Sequence, residues 1–390
     1  MAEAPHTGAL AGLRVIDLST LFSGPQVSAI LGDLGADVVK IEPPSGDPLR
    51  RMGVMRKGHS LNWAMVSRNK RSVVLDLDTA GDRARFHRLV GRADVLVENF
   101  PRAHLERWGA TWEELSARNR RLVYVSVSGF GQTGPYAGRA AAGTLAEAFA
   151  GLTHMTGESE GPPMLTSVAV GDILAGISGV VGTIAALYHR DTREGQGQHI
   201  DVSMYEPVLQ LLQGTLAGYD GESEPPRRMG SRVAGGVPRN TYRARDHHWL
   251  VVSATTDPQV ARVLATLGLD DEAHRARFGK STDRLHAADE LDGLVAEWIA
   301  RHDRADVLEI FQAARIPASP VNDMRDLLAD PHVQARESIV RINDPDLGPV
   351  NMVAPVPKLS GTPGRIRTSG PALGAHTEEV FRDWLGEGGD

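Results

Sequence analysis

The feature that most constrains the fold is a regular succession, over the first third of the chain, of short apolar runs and longer mixed segments. Residues 14–18 (RVIDL), 36–42 (ADVVKIE), 72–77 (SVVLDL), 94–98 (DVLVE) and 122–127 (LVYVSV) are rich in Val, Leu and Ile and too short for buried helices, so they read as strands. Residues 26–34, 80–90 and 111–116 between them have helical character, and Pro25 stands where a first helical turn accepts a proline. Strands alternating with helices predict an α/β fold: a mostly parallel sheet covered on both faces, with ligands at the carboxyl ends of the strands.

Residues 14–42 form a βαβ unit, and Glu42 closes its second strand where an acid often holds a ribose. The turn between strand and helix reads Ser19-Thr20-Leu21-Phe22-Ser23-Gly24, with one glycine at the wrong end, so the dinucleotide fingerprint is absent. Asn99-Phe100 is expected at a strand's carboxyl end. Lys70, Arg71, Arg102, Arg107 and Arg139 are expected in loops near that edge, as a setting for a phosphorylated ligand or as solvated surface charge.

A chain of 390 residues exceeds what one core usually holds, so two domains are expected. The polar, proline-bearing segment 222–226 (ESEPP) marks the boundary. It separates a first domain, 1–219, from a smaller domain of strands and helices, 220–320, after which 321–390 returns to the first. The net charge of −7, without a long run of like charge, argues against a nucleic-acid partner. The absence of cysteine removes disulfides, thiolate nucleophiles and Cys-zinc sites, and suits a cytoplasmic protein. The N-terminal MAEAPHTGALAGL lacks the basic-then-apolar pattern of a signal peptide and reads as a lead-in. The longest uncharged run is interrupted by glycine and falls short of the roughly 18 apolar residues of a membrane span.

That run, residues 173–188, follows directly on Asp172 and carries Gly176, Gly179 and Gly182 at every third position. The pattern predicts a helix with one bare face that another backbone or a flat ligand approaches closely. As its N-cap, Asp172 would accept hydrogen bonds from the first turn and stay ionised; from position alone a cap is the whole of its role. Gly195-Gln196-Gly197 then turns the chain into a strand at 198–202. A Gly-x-Ser-x-Gly match at 157–161 is set aside, because no strand precedes it and Pro162-Pro163 block the helix that should follow. His247-His248 has no third ligand at metal spacing and there is no P-loop, so no metal site is expected.

Several collinear stretches carry a further reading: LAGLRVIDLSTLFSGPQVSAILGDLGADVVKIEPPSGDP, NKRSVVLDL, ADVLVENFPRAHLERWG, GQTGPYAGR, GDILAG, GQGQHIDVSMYE, RIPASPVNDMRDLLADPHVQAR and LSGTPG. Over residues 10–376 the chain resembles the family III CoA-transferases of the CaiB/BaiF type, which include formyl-CoA transferase, carnitine CoA-transferase and α-methylacyl-CoA racemase. The resemblance implies a Rossmann-like large domain built from both chain ends, a smaller inserted α+β domain, and an interlocked homodimer. It implies coenzyme A or acyl-CoA as a substrate rather than a prosthetic group, with a small carboxylic acid as the second substrate. Carried over by position, Leu21, Phe22, Leu75, Asn99, Phe100, Arg107 and Arg139 contact CoA and Asp172 is the catalytic carboxylate. Gly235 and Gly236, in the reduced loop 234–237, cover the site.

The implied activity is acyl-CoA:carboxylate CoA transfer through an aspartyl mixed anhydride and an aspartyl-CoA thioester. The alternatives are an α-methylacyl-CoA racemase and a catalytically silent CoA-binding homologue. Racemases pair the aspartate with a histidine whose position here is Ala142. Oxalate-using members carry glutamine at Phe22 and lysine at Asp78, so oxalate is not expected. The small side chains at 140–143 and the Phe22 ring lead instead to an acid with a hydrocarbon body, and admit a short dicarboxylate only if Arg232 or Arg239 reaches the site.

Overall fold

The computed structural model describes residues 7–387, so the first six residues of the expected lead-in lie outside the described residues. Six strands form the main sheet: β1 (Arg14–Asp17), β2 (Asp37–Glu42), β3 (Lys70–Val74), β4 (Val95–Glu98), β5 (Val123–Ser128) and β6 (His199–Ser203). All are parallel, in the order β3-β2-β1-β4-β5-β6. In such a doubly wound sheet the direction of winding reverses between β1 and β4, and a crevice opens at their carboxyl ends.

The helices of this layer are α1 (Ser23–Asp33), α2 (Ala80–Val90), α3 (Arg102–Trp108), α4 (Trp112–Arg118), α5 (Gly143–Phe149) and α6 (Val170–His189). Successive strand residues serve opposite faces. Val15, Val38, Val95, Val97 and Val125 pack with Val27 and Leu31 of α1 and Ala175 and Ala186 of α6. Ile16, Val39, Leu96 and Tyr124 pack with Phe86 of α2, Leu115 of α4, and Phe381 and Trp384 of the C-terminal helix Thr377–Leu385. Each such side chain taken fully out of water contributes about 1.5–3 kcal/mol, which is why strands of four to six residues suffice.

The glycines of α6 admit another helix. A Cβ on Gly176 would lie 2.7 Å from Gln26 Cγ, and one on Gly179 would lie 2.7 Å from Val27 Cγ2, so α1 crosses α6 at nearly backbone distance. With the turn that follows it, α6 is also long and apolar enough to cross a membrane (24 residues, with a mean hydropathy of 1.8 over an 18-residue stretch), contrary to the expectation from its glycines. It is nevertheless a core helix, packed along one side on α1 and the sheet.

Two charged residues move from their expected loops into the sheet, because β3 starts at Lys70. Both are buried and paired. Lys70 Nζ donates to Asp17 Oδ2 and to the Pro25 carbonyl, each at 2.8 Å, while Arg71 pairs with Asp37, Glu379 and Asp383. They stabilise the sheet and tie down the C-terminal helix, and are not available to a ligand.

The chain divides into two compact units. The first comprises the chain up to Leu152, Leu165–Asp220 and the chain from Gln334; the second comprises Thr153–Met164 and Gly221–Val333. The second thus takes in a segment just after α5 and continues beyond residue 320. It holds a three-stranded antiparallel sheet of Ala318–Pro320, Trp249–Ser253 and Arg239–Arg243, with Leu250 and Val252 packed on the helices Asp257–Leu267, Ala288–Ile299 and Arg304–Ala313.

Candidate active site

A cleft of about 350 Å³ opens at the carboxyl ends of β1 to β4. Leu18 and Thr20 enter it from the end of β1, Ile41 and Glu42 from β2, residues 75–78 from the end of β3, and Phe100 from the end of β4. Helix α3 adds His104, Arg107 and Trp108, and the loop after β2 adds Asp47 and Arg51. The sheet order brings these residues together, although they are up to 90 positions apart in sequence.

The walls are largely apolar. Phe100 and Trp108 meet edge to face at 4.9 Å opposite Leu75 and Leu77. Arg107 pairs with Asp78 at 2.9 Å and lies 5.6 Å from the Trp108 ring, and Asp78 also accepts from Trp108 Nε1 at 2.9 Å. Asn99 acts at one remove: its amide donates to the Thr20 carbonyl and accepts from the Thr20 N–H, both at 2.8 Å, and so clamps the loop after β1. Leu21 follows with φ 65°, an uncommon conformation for a residue with a side chain, and its N–H points at Asp47 Oδ1 at 3.4 Å.

Under the cleft four buried charges meet. Asp17 accepts from Lys70, and Lys40 lies 3.7 Å from Asp17 and 3.2 Å from Asp47. Burial pushes the Asp17 carboxyl up, but Lys40 and Lys70 outweigh it and hold it down at about 2. Burial likewise opposes the charge on Lys40, yet Asp17 and Asp47 keep it above its usual value, whereas Lys70 is pulled down to about 8 because burial exceeds what Asp17 restores. Sequence reasoning missed Lys40, Asp47, Arg51 and His104. The signal for Lys40 was there: a lysine in the middle of ADVVKIE needs a buried partner.

Asp172 lies elsewhere in the same unit and is not the cap that its position suggested. Helix α6 starts at Val170, its N-cap is Ala169, and Asp172 is the third helical residue. Its carboxylate rests on bare backbone: a Cβ on Gly143 would sit 2.1 Å from Asp172 Oδ2, and one on Gly171 would sit 2.7 Å from the Gly143 carbonyl oxygen. The two glycines let the starts of α5 and α6 touch. Burial, and then the charge of Glu147, push the Asp172 carboxyl up to about 6, with only its own backbone N–H pulling down. The carboxylate is therefore less readily ionised than a cap would be. Ala142, at the position where racemases carry histidine, is the N-cap of α5 and offers no base.

The other sequence-derived positions are dispersed. Phe22 is the N-cap of α1 and packs against Leu49, Trp63 and Val66, not into the cleft. Arg139 is exposed and stacks on the Tyr136 ring at 3.7 Å, also outside the cleft. Arg102 pairs with Glu106 on the surface. In the second unit Gly235 holds φ 96° and Gly236 packs on Thr255, in a tight turn closed by a bridge between Val233 and Gly236. Arg232 there is taken up by Asp289 and Asp292. Among the described residues no group of three His, Asp or Glu side chains has a metal-binding arrangement.

Known proteins share this organisation end to end. Succinyl-CoA–D-citramalate CoA-transferase of Chloroflexus aurantiacus is 39% identical over 376 residues, covering 96% of this chain and 93% of that protein. The beta subunit of succinyl-CoA–L-malate CoA-transferase from the same organism is 39% identical over 383 residues, covering 97% and 94%. Among solved structures, a CAIB/BAIF family protein from Brucella suis superposes with a TM-score of 0.85 at 30% identity, covering 97% of this chain and all of that one. The description of CoA-transferase family III matches residues 10–377. From the sheet order to the end of the chain the match is continuous, and the protein belongs to CoA-transferase family III and is a CoA-transferase.

Proposed function

We propose that the protein moves coenzyme A from succinyl-CoA to a short dicarboxylic acid, with Asp172 as the nucleophile. The observation that carries this reading is the state of Asp172: a largely buried carboxyl on bare glycine backbone, with a like charge beside it and its affinity for protons raised to about 6. Such a group is still ionised at neutral pH, and lacking a cation to neutralise it, it is a better nucleophile than a solvated or ion-paired carboxylate.

Asp172 attacks the succinyl carbonyl, the carbon–sulfur bond breaks, and CoA leaves as the thiolate. The thiolate then attacks the aspartyl carbonyl of the mixed anhydride, expelling succinate and leaving CoA on Asp172 as a thioester. The acceptor carboxylate attacks this thioester and releases thiolate again. Attack of the thiolate on the acceptor's carbonyl in the second anhydride gives the product and restores Asp172. Both intermediates hydrolyse in water, so the site must be closed during transfer.

For the CoA end, the cleft supplies Leu75, Leu77, Phe100 and Trp108 as apolar surface for a base, and Arg51 and Arg107 as positive charge for phosphates. The first unit is then the CoA-binding domain and the second the small domain. The names of the two relatives move the expected acceptor from an acid with a plain hydrocarbon body to a hydroxylated or methylated dicarboxylate. Arg239, on the sheet of the second unit, forms no ion pair among the described residues. A stripe of exposed Ile173, Ile177, Val181, Ile184 and Tyr188 along α6 supports burial against a second copy, as in an interlocked homodimer. A cytoplasmic location completes the reading.

The test is to mix the protein with succinyl-CoA, quench with hydroxylamine or borohydride, and locate the modified residue by mass spectrometry. The reading expects Asp172 hydroxamate or the corresponding alcohol; turnover without an Asp172 adduct overturns it. Competition among oxalate, malate, citramalate, mesaconate, glutarate and carnitine then fixes the acceptor, and preference for carnitine or oxalate would reject the dicarboxylate assignment.

A further inference from the structure

Resting on the assignment of Asp172 as nucleophile, we infer that Glu147 is its positioning residue: it fastens the turn that carries Asp172 and supplies a like charge that the covalent steps relieve. Glu147 lies on α5, four residues after Gly143, and is fully buried. A buried carboxyl is normally matched by a cation, but among the described residues Glu147 forms no ion pair. Its oxygens accept from the first turn of α6 and from the chain leading into it: the Gly171 N–H donates to Oε1 at 3.0 Å and the Thr166 hydroxyl to Oε2 at 2.5 Å.

Gly171 is the residue before Asp172, so anchoring its N–H fixes where the next side chain leaves the helix. One short helix therefore makes both the seat and the anchor. Gly143 at its start presents the bare backbone on which the Asp172 carboxylate rests, and Glu147 one turn later holds the approach. A glutamine would fill the same space and accept the same Gly171 hydrogen bond, which makes the charge itself the feature to explain.

The reaction gives that charge a use. Acylation by succinyl-CoA, and later attachment of CoA, each convert the Asp172 carboxylate into a neutral carbonyl derivative. Repulsion from Glu147 raises the ionised nucleophile in energy and vanishes in the anhydride and the thioester, so the difference favours the covalent states. Among the described residues Glu147 is the one charged group acting on Asp172, and it adds to burial in holding that carboxyl near 6.

The experiment compares wild type, Glu147→Gln and Glu147→Asp by the pH dependence of turnover and by the rate at which the Asp172 adduct accumulates with succinyl-CoA. With Glu147→Gln, adduct formation at pH 7.5 should slow at least tenfold with KM for succinyl-CoA within about twofold, and the acid limb of the rate profile should move down by about one pH unit. Glu147→Asp keeps the charge and shortens the reach, so it should lose rate while its acid limb stays near that of wild type. An unmoved acid limb in Glu147→Gln together with a rate within twofold of wild type overturns the inference, as does a loss explained wholly by a lower melting temperature. Absence of the adduct in wild type would instead refute the assignment of Asp172.

Discussion

Two regions of the first unit that bury carboxyl groups, the floor under the cleft and the start of α6, treat them in opposite ways. Asp17 has every oxygen engaged: Ser19 donates to Oδ1 from N–H and hydroxyl, and Ser28 and Lys70 donate to Oδ2. Its proton affinity falls to about 2. Asp172 faces Glu147 and no cation, and its affinity rises to about 6. Complete pairing gives a rigid floor on which a large ligand can be held. Incomplete pairing leaves a group at higher energy, which weakens the fold locally and favours its reaction.

The sharpest way to probe this contrast is to neutralise each carboxyl in turn. Asp172→Asn should reduce CoA transfer by about 10⁴-fold or more, because no other group can form the acyl intermediates. The same change should stabilise the protein at pH 7.5 by about 1–3 kcal/mol in denaturant titrations. The folded-state affinity of Asp172 is above its unfolded value, so its stabilising share is present below about pH 4 and lost as the pH rises through 6. The advantage of the variant should accordingly shrink as the pH falls from 7.5 to 4; a variant less stable than wild type at pH 7.5 would show that Asp172 is a structural cap after all.

Asp17→Asn should do the reverse, costing about 3–5 kcal/mol of stability at pH 7, since Lys40 and Lys70 would then be buried without their shared counter-charge. The folded affinity of Asp17 lies below the unfolded value, so its contribution is present above about pH 4 and lost as the pH falls toward 2. Wild type should lose stability steeply over that interval and the variant less so, which parallel melts at pH 2.5 and 7 can measure.

Gly143→Ala tests the seat of the nucleophile. The added methyl would lie 2.1 Å from Asp172 Oδ2 and must displace the carboxylate, so kcat should fall about 100-fold with KM for acyl-CoA little changed. Equal activity would mean that the carboxylate does not react from this position. In the cleft, Phe100→Ala should raise KM for acyl-CoA about tenfold with kcat nearly intact, as removal of one aromatic wall predicts. Arg139→Ala, outside the cleft, should change either constant by less than about twofold; a loss as large as that of Phe100→Ala would return Arg139 to the binding surface.

Much of the α/β framework was legible because period-2 and helical patterns are local. Helix α2 occupies the expected residues 80–90, and β2 and β4 each start one residue inside their expected spans. The errors fall on residues whose state depends on distant partners. Lys70 and Arg71 read as loop charges because nothing near them in sequence announces Asp17 or Asp37. Phe100 and Arg107 were placed near the strand ends by the sequence pattern and Leu75 was added by the family resemblance, whereas Lys40 and Asp47, in the same cleft, were found by neither.

By itself, then, the sequence determined the alternation of strands and helices, the glycine-marked face of α6 and the place of Asp172 beside it, all set by spacing along the backbone. Only the tertiary structure decided what the charged residues do. Strand order sets Asp17 between two lysines and brings the ends of four strands to one cleft, and the touching glycines Gly143 and Gly171 bring Glu147 against the turn before Asp172. The physical reason is that a side chain's conformational preference is local, but the free energy of a buried charge is set by which partners the fold places within a few ångströms of it.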